Sequence, residues 1–156
     1  MLREMKSLTL LAVALLALAC SLPAAAQDAG YWRAASNEAK TITGDITIQG
    51  TRLSISFSNF TIAEIRAIKP AEASAAFDAD PGTPGAGNLY RLDIPASKKF
   101  EHHNTICGSD DTQWMATWVS GNDLHVAFFS GQKMPTLTLE DLSNSTSLCG
   151  NFGYQR

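Results

Sequence analysis

Apolar and polar residues alternate with a period of two through most of the chain, and that period predicts strands. The cleanest example spans Thr41 to Phe57. Ile42, Ile46 and Ile48 interleave with Thr41, Thr43, Asp45, Thr47 and Gln49, and then Leu53, Ile55 and Phe57 interleave with Arg52, Ser54 and Ser56. A two-residue Gly50-Thr51 loop pairs Ile48 with Leu53 and Ile46 with Ile55. It also sets Gly44 opposite Phe57, where a missing side chain leaves room for the ring. One register gathers every apolar residue on one face, so this hairpin has a dry face and a wet face.

The stretch Gln113–Gly131, QWMATWVSGNDLHVAFFSG, follows a different pattern. A Gly121-Asn122 loop between two apolar runs predicts a hairpin pairing Val119/Leu124, Trp118/His125, Thr117/Val126, Ala116/Ala127, Met115/Phe128 and Trp114/Phe129. Cross-strand partners share a face. One face then carries Trp114, Ala116, Trp118, His125, Ala127 and Phe129, and the other Met115, Thr117, Val119, Leu124, Val126 and Phe128. Both faces are too apolar to meet water. The domain's own strands are expected to cover one, and a barrel wall, the Lys98–Asp111 loop or a binding partner the other.

Shorter segments complete the pattern. Phe60–Ile68 predicts a strand whose alternation slips between Ile62 and Ile65, as a bulge or a helical turn would make it. Lys69–Gly87 is rich in Ala, Pro and Gly, with one or two helical turns over Ala71–Phe77 and a turn-rich loop over Asp80–Gly87. Leu89–Ile94, Thr136–Leu142 and Leu148–Tyr154 are expected strands. About eight short strands with short links predict an all-β fold, a small antiparallel barrel or sandwich over residues 27–156.

Composition adds a compartment. Arg3 and Lys6 precede an apolar Leu8–Ala19 run and a small-residue Ala24-Ala25-Ala26 site, so residues 1–26 are expected to be a secretory signal cleaved after Ala26. The alternative is a degenerate lipoprotein box, Ala17-Leu18-Ala19-Cys20, with lipidation at Cys20 and the membrane serving only as an anchor. Removing Arg3, Lys6 and Glu4 takes the 12 basic and 15 acidic residues of the chain to 10 and 14. That mild acidity disfavours nucleic acid as a partner. The domain keeps two cysteines, Cys107 and Cys149, and in an exported chain such a pair predicts a disulfide.

Near the start, Gly30-Tyr31-Trp32 resembles the Gly-x-Trp that a lipocalin-like barrel carries on its first strand. The resemblance covers three residues and assigns no family. It implies that Trp32 plugs one end of the core and that Arg156 packs against its ring.

Candidate chemistry is sparse. Glu101, His102, His103 and His125 are the only clustered metal or acid–base candidates, and their spacing matches no zinc pattern. No serine sits in a nucleophile motif, and no cofactor signature is present. The expected function is therefore a secreted or periplasmic binding module without a catalytic site: a protein inhibitor, an envelope accessory or a binder of a small apolar ligand. Trp114, Trp118, His125 and Phe129 are its candidate contact residues. The alternatives are a structural cell-envelope protein, or metal binding through His102 and His103 with Glu101.

Overall fold

The computed structural model describes residues 27–156. Residues 1–26, with the expected signal segment and Cys20, lie outside the described residues. Nine strands form one antiparallel sheet in the order β4-β3-β2-β1-β9-β8-β7-β6-β5. In chain order these are β1 Gly30–Ala34, β2 Ile46–Gln49, β3 Arg52–Ile55, β4 Ser58–Thr61, β5 Ala63–Ala67, β6 Asn88–Ile94, β7 Thr112–Ser120, β8 Asp123–Ser130 and β9 Leu148–Gln155. Two helices, α1 Pro70–Phe77 and α2 Leu139–Ser143, complete the regular structure with short helical turns at Ala39–Thr43 and Glu101–His103.

The expected count of about eight becomes nine because the Phe60–Ile68 segment divides at Ile62 and Gly30–Ala34 adds a strand, while Thr136–Leu142 drops out. β4 pairs only with β3, and β5 only with β6, at the opposite edge of the sheet. A single residue thus carries the chain from one edge to the other, which forces the sheet to curl. No ladder joins β4 to β5, so the sheet is not closed. The slip that the sequence shows near Ile65 is a bulge between Glu64 and Arg66.

Curling brings the inner faces of both halves into one core. Ile46, Ile48, Leu53 and Ile55 meet Tyr90, Leu92, Met115, Val119, Leu124, Val126, Phe128 and Phe152 there. Phe128 and Phe152 pack edge to face at 5.3 Å between centroids, a favoured aromatic geometry. Both long hairpins adopt the expected registers, Ile48↔Leu53 with Ile46↔Ile55 and Trp114↔Phe129 through Val119↔Leu124. Gly50 and Gly121 supply the left-handed φ (59° at each) that such two-residue loops demand.

The second face of the β7–β8 hairpin has its own cover. Trp114, Ala116, Trp118, Ala127 and Phe129 pack with Ile68 and Ala73, and with Leu137 from the connector after β8. Helix α1 lies over this face, started by Pro70 at its first position and by Glu72, which accepts from the Lys69 amide at 3.0 Å. Glu72 also takes both nitrogens of Arg66 at 2.7 Å, tying the helix to β5. The Lys98–Asp111 segment serves the other face, where Phe100 and Ile106 close the inner core.

The expected strand over Thr136–Leu142 is instead helical at α2. The Thr138 hydroxyl accepts from the Asp141 amide at 3.2 Å, so the capping motif overrides the two leucines. Leu137 is buried while Leu139 is exposed, as a turn requires and an alternating strand forbids.

Cys107 and Cys149 are joined, with Cα atoms 5.0 Å apart. The bond ties the segment before β7 to β9. It is compatible with an exported protein. No helix among the described residues is long and apolar enough to cross a membrane.

Candidate functional site

The aromatic residues that the sequence offers for contact lie under cover. Trp114 is 8% exposed and Trp118 3%, and Phe129 is buried with them. The Trp114 indole donates to the Gly131 carbonyl at 3.1 Å, and the Arg91 guanidinium sits 5.1 Å from its ring. Trp118 packs on Gly85 so closely that a Cβ there would meet the indole at 2.6 Å. His125 is half-buried, with its ring 5.8 Å from that of Phe77 on α1. In this arrangement all four serve packing, and the face they form is occupied by the chain itself.

The histidine pair is likewise dispersed. His102 and His103 are exposed on a turn where both have left-handed φ, and Glu101 points away toward Gly44 and Ser56. His125 belongs to the covered hairpin. Among the described residues no group of three His, Cys, Asp or Glu side chains is placed to hold a metal ion.

A buried polar staple lies inside the curl. Asp28, 1% exposed, accepts through Oδ2 from the Tyr90 hydroxyl at 2.8 Å and from the Thr117 hydroxyl at 2.6 Å. These donors belong to the paired strands β6 and β7, far across the sheet from β1, so one carboxylate ties the segment preceding β1 to strands that β1 does not pair with. Burial pushes the Tyr90 phenol well above its ordinary range, and the negative charge of Asp28 adds to the shift. In a urea titration Asp28→Ala is expected to cost about 2 kcal/mol, because it removes the acceptor of the Tyr90 phenol and leaves the Thr117 hydroxyl only its longer bond to the Asn88 carbonyl at 3.3 Å. Asp28→Asn keeps an acceptor and removes the charge, so it is expected to cost less than about 1 kcal/mol in the same urea titration. Equal losses in the two variants would remove the staple from the account.

One open groove lies on the outer face of β1–β4. Tyr31, Thr47, Ser54 and Asn59 follow one another across four paired strands. A groove of about 430 Å³ opens here, lined by Tyr31, Asp45, Thr47, Ser54, Ser56, Phe57 and Glu101. Tyr31 is 57% exposed, and its phenol donates to Asp45 Oδ2, which fixes the ring. The other oxygen of Asp45 accepts from the Ala34 amide at 2.8 Å. These bonds, the phenol's first, hold the Asp45 carboxyl below its usual range and raise the phenol. The Ser56 hydroxyl lies between the Thr43 carbonyl at 2.9 Å and Glu101 Oε1 at 3.0 Å. Gly44 permits this, because a Cβ there would stand 3.2 Å from the Glu101 carboxylate arm.

Phe57 closes the groove on an unusual backbone. Ile55 pairs with Ser58, so Ser56 and Phe57 form a two-residue hairpin loop with φ of 44° and 66°. Such loops favour Asn-Gly, since left-handed φ strains a residue with a Cβ. The expected placement of Phe57 opposite Gly44 therefore fails: the strand turns two residues early and the ring stands fully in solvent. Nothing in Ile55-Ser56-Phe57-Ser58 signals a turn except its serines, which is why sequence reasoning missed the site. Comparison of the chain with family models, curated proteins and solved structures gave no match.

Proposed function

We propose that this chain is an exported, barrel-like binding module that recognises a protein partner through the outer face of β1–β4. One observation carries the reading: a fully exposed phenylalanine at a left-handed hairpin tip, beside a half-exposed tyrosine. Solvent exposure of a bulky apolar side chain gains nothing for folding, and the backbone beneath it is strained. Residues kept in that condition concentrate where they contact a partner. The inside of the curl is filled by its own side chains, which favours a surface contact over an enclosed small ligand. The disulfide supports export.

Two measurements test the proposal. Phe57→Gly is expected to raise stability by about 1 kcal/mol, because glycine adopts the left-handed φ without strain. A photoreactive benzoylphenylalanine at position 57 is expected to give a discrete adduct in native envelopes, whereas the same group at exposed Leu139 gives none. Matching adduct patterns from positions 57 and 139, or no adduct at 57, would sink the reading.

A further inference from the structure

We infer that the groove between Tyr31 and Phe57 seats a lysine or arginine side chain of the partner protein. This rests on the proposed binding face and names what that face reads. Two carboxylates, Asp45 and Glu101, line a groove walled by two exposed aromatic residues. Among the described residues the one ion pair within 4.0 Å is Arg66–Glu72, so neither carboxylate has a basic side chain at contact distance. Arg33 influences Asp45 only from beyond the reach of an ion pair. The site therefore holds uncompensated negative charge next to ring faces that attract cations.

A cation entering here would gain twice. It would lie over an aromatic face and make charge-assisted hydrogen bonds to a carboxylate. Tyr31 is held by Asp45, so that wall need not be ordered on binding, and a tight two-residue loop fixes the backbone that carries Phe57. The surplus of acidic residues in the chain favours approach of a basic surface. Thr47 and Ser54, paired at the groove floor, offer hydroxyls to the remaining guanidinium or ammonium protons.

The test uses the protein with its Cys107–Cys149 bond intact and three short probes: blocked Gly-Arg-Gly, the same peptide with neutral citrulline for arginine, and the neutral disaccharide cellobiose. The arginine peptide is expected to give saturable amide chemical-shift changes at Tyr31, Ser54, Ser56 and Phe57. Citrulline should bind about tenfold more weakly, and the double variant Asp45→Asn/Glu101→Gln should lose about tenfold for arginine at an unchanged melting temperature. Glu101→Gln keeps an acceptor for Ser56, and Asp45→Asn keeps its oxygen for the Ala34 amide while its NH2 donates to the Tyr31 phenol oxygen. Absence of a saturable response, equal responses to arginine and citrulline, a tighter response to cellobiose, or indifference to the double variant would each overturn the inference. If the position-57 adduct persists in the double variant, the binding face stands and only its cation preference is lost.

Discussion

Trp32→Ala is expected to lower the unfolding free energy by about 3–5 kcal/mol, the range for deleting a large, well-packed aromatic core residue. Trp32 is wholly buried, and it is tied down from both ends of the described residues. Its indole nitrogen donates to the Asp28 carbonyl at 2.8 Å, and the Arg156 guanidinium lies 4.2 Å from its ring. Arg156 in turn donates to the Gln27 carbonyl, and its amide donates to the Asn122 carbonyl at 3.0 Å. Truncation thus opens a cavity and frees the carboxy-terminal residue and the Gln27–Ala29 leg together. Arg156→Ala, which removes only the cation over the ring and one side-chain bond, should lose about 1 kcal/mol. Urea unfolding followed by far-ultraviolet circular dichroism measures both. A Trp32→Ala loss no larger than that of Arg156→Ala would show that the ring is not the plug.

The second large effect concerns the disulfide. Replacing Cys107 and Cys149 with alanine releases a loop of 42 residues, and the chain-entropy relation puts the loss at roughly 4 kcal/mol. The loop contains all of β7 and β8, the most apolar hairpin in the sheet. Reduction of the wild-type protein should shift its urea midpoint by the same amount as the double replacement. Coincident midpoints for the oxidised and reduced protein would mean that the crosslink merely records a proximity already fixed by packing.

The parts of the fold that were legible in the sequence are those where turn chemistry and alternation agree. Gly50 and Gly121 mark loops whose flanking residues alternate in phase, so the pairs beside each followed to the residue, whereas the expected strand over Thr41–Thr43 is a helical turn and Phe57 leaves the strand. The double apolarity of Trp114–Phe129 correctly called for cover on both sides. Its source was harder to see, because α1 is mostly alanine with little apolar stripe, and only Ala73 is fully buried. Thr136–Leu142 misled for a local reason: two leucines suggested period two where Thr138 and Asp141 form a cap. Trp32 and Arg156 met as the Gly-x-Trp resemblance implied, although the contact depends on the two chain ends coming together.

The candidate site was nearly illegible. Tyr31, Asp45, Ser54 and Glu101 come from four separated segments, and strand register and a distant loop bring them together. Phe57 appeared as one more inward residue of an alternating strand. Only a turn without glycine or asparagine, visible in the backbone, turns it outward. The aromatic residues that the sequence made conspicuous are those the protein hides.

The placement of β1 between β2 and β9 carries a consequence for the order of events in the life of the chain. Arg33 pairs with Gln155 and Ala34 with Tyr154, so the centre of the sheet stays open until β9, far along the chain from β1, has arrived. Pairings so distant in sequence form slowly, since the connecting chain must be constrained before any contact rewards it. A chain of this design has no finished core until that pairing is made. Its crosslink, joining a segment before β7 to β9, likewise waits for the arrival of Cys149 on that strand.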